Sequence, residues 1–536
     1  MVRWQGWAAA SGVLAVGIGV IGGELGAAAL SPSVTPVSAV GAVVIDVLPP
    51  GVKDWAIAWF GTADKAVFLT TIAALIAVLA LAAGVLEYRR PFLGRAIVAV
   101  FGVLGVAAVA SRPQSSLLSF VPPVVAAGLA LLVLTALVRS LRAWAAADDG
   151  GSKVDGGSKV VGGSRVGDGD RKRSTPARRR FLQGAGGAGV VVVAAGAAAT
   201  GVRSTQSSIA QQRSSITLPA PTEASPPPPV GSFLPEGADL GIERVSDLVT
   251  PSDDFYRIDT ALVVPVLDPA TWSLRVTGLV DREIELSFDD LLAEPLIERY
   301  VTLACVSNTV GGDLTGNARW LGWPVRELLA RAGVRPEADM VLSRSTDGFT
   351  AGTPIEALTD DRDALLAVGM NGEPLPVEHG FPVRLVVPGL YGFVSATKWV
   401  TELKVTRFAD DTAYWSTRGW SERGPVKTSS RVDVPRSRAE VPAGAVVVGG
   451  VAWAQHRGVD AVEVRVDGGP WQRATLATPI STDTWCQYSA TLQLDAGSHT
   501  VQSRAIDSDG VHQSEESVNP APDGSEGLHT VTFTVT

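Results

Sequence analysis

Cys305 lies in "RYVTLACVSNTVGGDLTG", residues 299–316, where a short apolar run breaks into Asn and Gly. The only other cysteine among the 536 residues is Cys486, in "TDTWCQYSA". Three chemistries are open to such a thiol. It packs as a small buried hydrophobe, it pairs with Cys486 in an oxidising compartment, or it ligates a soft metal as a thiolate. Two cysteines exclude a disulfide framework and a multi-cysteine zinc or iron–sulfur site. The five histidines, at 379, 456, 499, 512 and 529, all fall late in the chain. A haem held by paired histidines among the N-terminal helices is therefore excluded. The Gly-x-Ser-x-Gly elbow of a hydrolase does not occur. A formal charge of −9 leaves no basic footprint for nucleic acid.

The elements that must position these residues fall into two halves. Mean hydropathy is +0.23, and the apolar residues concentrate in the first 200. Runs near 7–30, 66–87, 92–111 and 117–138 each approach the roughly 20 residues that cross a bilayer as a helix. We read 1–138 as a four-helix transmembrane segment. Arg89, Arg90 and Arg95 lie between the second and third runs, and residues 139–180 hold 11 Lys/Arg against 5 Asp. The positive-inside rule puts the N-terminus and 139–180 in the cytoplasm. Glu24 is the ionisable residue well inside the first run, and its position near the outer end makes it a solvated end residue. The repeat GGSKV-D-GGSKV-V-GGSRV at 150–166 has no apolar face, so 139–180 reads as a basic Gly/Ser-rich cytoplasmic linker.

A fifth apolar segment, 181–201, follows "RRRFLQ" (Arg178–Gln183). Two readings stand: an internal twin-arginine-like export signal, or a basic stop beside a transmembrane helix. Both place 202–536 outside the cytoplasmic membrane, and cleavage near Ala197–Ala199 would release it. Residues 202–236 form a Pro/Ser-rich spacer. Beyond it, "TWSLRVTGLV", "FPVRLVVPG" and "TKWVTELKVT" read as strands. "SFDDLLAE" and "PVRELLARAGV" read as short helices, capped by Ser287 and closed at Gly333. From about 430 short strands and turns alternate, which suggests a β-sandwich.

The segments "DDFYRIDTAL", "TLACVSN", "WLGWPVRELLARAGV", "NGEPLPVEHGFPVRLVVPGLYGFVSATKW" and "YWSTRGWSERGPVKTSSRVDVPR" occur in this order. With them, residues 240–536 resemble the sulfite oxidase family of molybdopterin enzymes. The resemblance implies an α+β molybdopterin domain over 237–428. It also implies an immunoglobulin-like β-sandwich over 429–536, the family's dimerisation domain. The whole is then a multidomain chain: an all-α transmembrane segment, the α+β domain and the sandwich, on a multi-pass membrane protein with its catalytic domain extracytoplasmic.

On that resemblance Cys305 is the thiolate ligand to molybdenum and, with Arg257, is catalytic. Arg384 and Lys398 match positions that hold the cofactor. His379 matches a cofactor-contacting position, which is Asn in related methionine-sulfoxide reductases. Ser395 lies in the matching loop, and Asp253, Tyr256 and Arg257 match an early cofactor segment in which Asp253 replaces the more usual Asn. Cys486 is structural. Each of these residues has a blander reading: Arg384 in a surface ion pair, His379 in a loop, Lys398 solvated.

The implied cofactor is molybdenum-molybdopterin with no haem. The implied reaction is two-electron oxygen-atom transfer on a small sulfur- or nitrogen-oxide type substrate. No charge follows Cys305 until Asp313, which departs from the basic residues of sulfite-oxidising members; Arg418, Arg423 and Arg431 are available instead. Electrons then pass through a separate cytochrome or quinone-linked protein, and a homodimer is expected. The alternative is a non-catalytic membrane-tethered binding protein that uses its sandwich.

Overall fold

Residues 2–30, 35–48, 64–112, 117–151, 176–189, 212–223, 234–261 and 263–536 are described by the computed structural model. They belong to two units, Met1–Ser208 and Ile209–Thr536. In the first unit the helices are α1 (Val2–Leu30), α2 (Pro36–Val47), α3 (Asp64–Arg89), α4 (Leu93–Ala110) and α5 (Val121–Gly151). Four of them, all but α2, are long and apolar enough to cross a membrane. Leu75, Val103 and Leu132 point outward, while Ala8, Ala15 and Ala83 are buried together with Leu134 and Leu141. A Cβ on Gly12 would sit 2.0 Å from the Ala80 carbonyl oxygen, and one on Gly84 2.1 Å from that of Ala8. Glycine therefore lets α1 and α3 touch backbone to backbone, which is how helices pack where lipid removes the hydrophobic drive between them.

Three sequence expectations change here. The four-helix segment expected over 1–138 holds a further short helix between its first two apolar runs. Thr35 accepts from the Ser38 amide in a capping box, with Pro36 in the first turn, and this starts α2. Glu24 is not a solvated end residue, because its carboxylate accepts from the Val37 amide at 2.9 Å and ties α1 to α2. The linker expected from 139 begins as helix, since α5 runs on to Gly151. The repeat beyond 151 and residues 190–201 of the fifth apolar segment lie outside the described residues. Residues 176–189 are helical. Phe181 is buried there, its ring 5.6 Å from that of Trp7 and 5.7 Å from that of Trp144. The basic helix ends are tied together: Arg95 Nε donates to Glu87 at 2.9 Å, and Arg142 donates to the Glu87 and Tyr88 carbonyls.

The second unit opens with two sheets. One has β1 (Ser273–Gly278), β2 (Ile284–Ser287), β5 (Met340–Ser345), β6 (Thr350–Pro354) and β10 (Val400–Thr406), in the order β2-β1-β10-β5-β6. Within it β1 and β10 run parallel. The other has β3 (Ile297–Ala304), β4 (Thr315–Pro324), β7 (Leu365–Met370) and β8 (Glu373–Pro374), with β9 (Arg384–Val386) also on β7. Helices α6 (Phe288–Leu292) and α7 (Val325–Ala332) begin and end where the sequence signals them. Ser287 closes a capping box, and Gly333 takes φ 71° after α7. A shared core packs Trp323, Leu328 and Leu329 of β4 and α7 against Leu366 and Leu385.

From residue 429 the elements are strands alone: β11 (Ser429–Val434), β12 (Glu440–Val441), β13 (Gly444–Trp453), β14 (Val459–Val466), β15 (Gln472–Arg473), β16 (Thr475–Leu476), β17 (Cys486–Leu494), β18 (Gly497–Asp507) and β19 (Thr530–Val535). They form two sheets, β11-β13-β17-β16 and β12-β19-β18-β14-β15. The sheets share a core of Val448, Val462, Val464, Tyr488 and Phe533. β19 shows why: Thr530, Thr532 and Thr534 face water while Val531, Phe533 and Val535 face inward, the two-residue period of a half-buried strand.

Trp323 is 1% exposed. Replacing it with Ala should cost about 3–5 kcal/mol, seen as a lower denaturant midpoint with an unchanged slope.

Candidate active site

Cys305 is the first residue after β3, at the mouth of the loop that returns to β4. Its amide donates to Leu314 at 2.9 Å, and its carbonyl accepts from the Asn308 amide at 3.1 Å. The Asn308 side chain in turn accepts from the Leu314 amide at 3.0 Å, so the loop is closed on itself. The Cys305 sulfur is 3.0 Å from the Ser307 hydroxyl. Burial pushes its pKa above the usual thiol range, and the Ser307 bonds offset this in part. Both cysteines are free, so the disulfide reading falls. Cys486 is 2% exposed in the sandwich core, where burial pushes its pKa up to about 12; this fits an inert structural thiol.

Beside the cysteine loop stands a group of cations with too few carboxylates. Arg384 opens β9 and Lys398 precedes β10; both are at least nine-tenths buried. Arg384 donates to the carbonyls of His379 at 3.1 Å and Leu385 at 3.3 Å, and its guanidinium lies 5.0 Å from the Trp320 ring centre. Lys398 donates to Asp259 at 2.6 Å and to the Glu378 carbonyl at 3.0 Å. Asp259 also takes Arg257, at 2.9 Å. Two of the three cations thus share one carboxylate, while Arg384 bonds carbonyl oxygens alone. Burial lowers Arg384 to about 10 and Lys398 to about 8; Asp259 resists the fall at Lys398, and Arg384 and Arg257 deepen it. Gly380 makes the arrangement possible. At its φ of +114°, a Cβ would lie 3.0 Å from that of Arg384 and 3.2 Å from that of Lys398.

His379 completes the group. Its Nε2 lies 3.1 Å from the Ser252 carbonyl, so Nε2 carries the proton. Burial first, then Arg384, Lys398 and Arg257, push its pKa down to about 3, so the ring is neutral at physiological pH. Tyr256 stacks on Phe255 at 5.2 Å. Burial and then the neighbouring Cys305 raise its pKa, against Arg384, and the phenol keeps its proton.

The structure therefore gathers Cys305, Tyr256, Arg257, His379, Arg384 and Lys398. It does not bring Asp253 to them: Asp253 is exposed in the turn before Phe255. Ser395 is buried but donates to the Tyr391 carbonyl at 2.9 Å, capping its own turn. The blander readings of Arg384 and Lys398 also fail, because neither is at the surface. Sequence reading missed Asp259, Gly380, Ser307 and Asn308. Asp259 carried a signal, since residues two apart on extended chain share a side, as Arg257 and Asp259 do here.

The donors fit a molybdenum–pterin group. A soft thiol suits the metal. A buried guanidinium and ammonium with unbalanced charge suit a phosphate. Arg431 and Arg423 each have a carboxylate of their own, Asp433 at 2.7 Å and Glu356 at 2.9 Å.

Lys398 has a lower pKa folded than unfolded, so between about 8 and 10 the unfolded chain holds the extra proton. Stability of cofactor-free protein should therefore rise with pH through that window. At pH 7 the buried charge costs on the order of 3 kcal/mol. Lys398→Met should abolish the rise and stabilise the cofactor-free protein at pH 7, measured by denaturant unfolding across pH.

Residues 261–415 match the family model described as the oxidoreductase molybdopterin binding domain. Mitochondrial sulfite oxidase of Mus musculus is 33% identical over 304 residues, 49% of this chain and 53% of that protein. Sulfite oxidase of Gallus gallus is 30% identical over 330 residues, 52% of this chain and 71% of that protein. The uncharacterized oxidoreductase YuiH of Bacillus subtilis (strain 168) is 36% identical over 157 residues, 29% of this chain and 76% of that protein. Among solved structures, the sulfane dehydrogenase SoxCD from Paracoccus pantotrophus aligns over 55% of this chain and 84% of its own, with a TM-score of 0.47 and 24% identity. The chain spans about half the length of the mammalian relatives it matches. The family model and the sulfite oxidase and YuiH relatives identify the chain as a member of the sulfite oxidase family of molybdenum-cofactor oxidoreductases.

Proposed function

We propose that this enzyme transfers an oxygen atom to or from a small sulfur or nitrogen oxide, outside the cytoplasmic membrane. The observation that carries the reading is the placing of Tyr256 between the Cys305 thiol and buried Arg384, in the same group as Lys398. When bound, the molybdenum–pterin group supplies the two-electron redox change. Cys305 gives the metal a thiolate ligand, losing its proton on binding. Arg384 and Lys398 hold the phosphate, and Arg257 shares Asp259 with Lys398. Neutral His379 keeps Nδ1 as an acceptor for the pterin, and protonated Tyr256 offers a donor on the Cys305 side. Asp253 and Ser395 take no part in this account. Reduction of an oxide consumes two electrons and two protons and releases water; oxidation of sulfite with water runs the other way to sulfate.

A neutral oxide is favoured over sulfite. The loop after Cys305 offers no cation, Arg423 and Arg431 are paired with carboxylates, and Arg418 lies over the Tyr414 ring and donates to the Tyr414 carbonyl. An aromatic cluster packs on the core that holds Ala304 and Val306: Phe393 is 6.0 Å from Trp420, which is 6.2 Å from Trp415. The sulfite oxidase relatives carry the competing reading. Membership of an enzyme family sets aside the non-catalytic binding protein.

The location rests on charge and on aromatic residues. Arg89, Arg90, Arg95, Arg139 and Arg142 mark one end of the helices, with Trp4, Trp7 and Trp144 packed at the same end. That combination suits a cytoplasmic interface. Electrons then exchange with a separate cytochrome or quinone-linked protein at the outer surface, and an immunoglobulin-like sandwich pairs two copies of the chain.

Molybdenum-replete full-length protein should reduce methionine sulfoxide, dimethyl sulfoxide or trimethylamine N-oxide from reduced viologen with higher kcat/KM than it oxidises sulfite with ferricyanide. Cys305→Ser should lose about 100-fold or more. Turnover of sulfite alone would replace the neutral-oxide substrate, and no turnover of any by replete protein would end the oxygen-transfer reading.

A further inference from the structure

The cysteine loop is held from outside as well as from within, and the outside contacts come from the C-terminal sheets. Arg431, on β11, is 9% exposed. Its guanidinium donates to the Gly312 carbonyl at 2.8 Å, to the Ser246 hydroxyl at 2.6 Å and to Asp433 at 2.7 Å. Asp433 also accepts from the Ser246 amide at 2.9 Å, which fixes the far side of the fork. Ser525 donates to the Asn308 carbonyl at 2.7 Å. Gly311, at φ +77°, lies flat on the His529 ring, where a Cβ would be 2.2 Å from the ring carbon Cδ2. His529 is itself oriented by the Val432 amide, which donates to Nδ1 at 3.0 Å.

The strand entering Cys305 is held the same way. Thr302 on β3 donates its amide to Asp483 at 2.9 Å. Its hydroxyl accepts from the Trp485 amide at 2.8 Å, and its carbonyl accepts from Gln455 at 3.2 Å. All three partners lie beyond residue 450. Both arms of the chain that meet at the sulfur are therefore stitched to the sandwich.

We propose that Arg431 is a positioning residue that sets the place of the Cys305 sulfur, so that the sandwich is part of the redox site. The proposal rests on the reading of Cys305 as the metal ligand. A loop with adjacent glycines at 311 and 312 has many conformations of its own, whereas ligand geometry demands placement to a fraction of an ångström. A planar guanidinium that bonds a carbonyl, a hydroxyl and a carboxylate at once removes that freedom. A lysine ammonium has no such fork and restores it in part.

The test uses full-length protein in two forms. In cofactor-free protein, alkylation of Cys305 by N-ethylmaleimide reports loop opening, with buried Cys486 as the internal unreactive control. Arg431→Met should raise the Cys305 rate by at least about tenfold, Arg431→Lys should fall between, and Ser525→Ala should give a smaller rise. In loaded protein, the Mo(V) EPR signal of Arg431→Met should broaden or shift, and Arg431→Lys should restore part of it. A Cys305 rate within about twofold of wild type in folded Arg431→Met would overturn the proposal. If that variant does not fold, Ser525→Ala decides by the same criterion. A faster rate in Arg431→Met alongside normal molybdenum binding by Cys305→Ser would end the ligand reading and leave the clamp standing.

Discussion

Charge buried beyond its neutralisation is the constraint around which this enzyme is organised. Arg384 and Lys398 sit away from water with Asp259 as the carboxylate bonded to the group, already shared with Arg257. Carbonyl oxygens and the Trp320 and Trp399 rings soften the cost but carry no charge. Burial holds both cations below their ordinary pKa values, and at Lys398 the neighbouring Arg384 and Arg257 add to it. A phosphate placed among them would restore those values and bring the missing negative charge, so cofactor binding and folding stability are linked. The strands β7, β9 and β10 and the glycine at 380 exist, in this sense, to hold an incomplete ionic site.

The second requirement is a sulfur in a fixed place near those cations. The molybdopterin domain supplies the strand that delivers Cys305, and Asn308 closes the loop from within. The outer face of that loop is covered by residues that lie more than a hundred positions later, Arg431, Ser525 and His529. One chain thus holds its cysteine loop with residues from both of its β regions. Segment 240–250 adds to the bond between them: Trp485 and Asn317 both donate to the Leu248 carbonyl, at 2.8 and 2.7 Å.

Elements with strong local signals were legible in the sequence. Ser287 and Gly333 mark helix boundaries by chemistry that acts within a few residues. The alternation of "HTVTFTV" marks β19 in the same way. The thiol, Arg384, Lys398 and His379 were legible through motif order, and the structure gathers them. Asp253 and Ser395 matched positions in a motif, yet one turns to water and the other caps its own turn. A motif match fixes the place along the chain and leaves the rotamer open. Helix α2 was missed because Thr35 and Glu24 cap it together, and Glu24 comes from another helix. Asp259 and Arg431 each bond a residue two positions away, but their contacts to Lys398 and Gly312 lie more than 100 residues off, and Gly380 depends on a turn at positive φ, so the three were not legible as a set.

The most direct test of this account is molybdenum and pterin content per chain, measured together on full-length protein from a host that makes the cofactor. The account predicts about one of each in wild type. It predicts loss of both in Arg384→Met/Lys398→Met that remains folded. Wild-type levels of molybdenum and pterin in that double variant would contradict the claim that these buried cations are the cofactor's anion receptor.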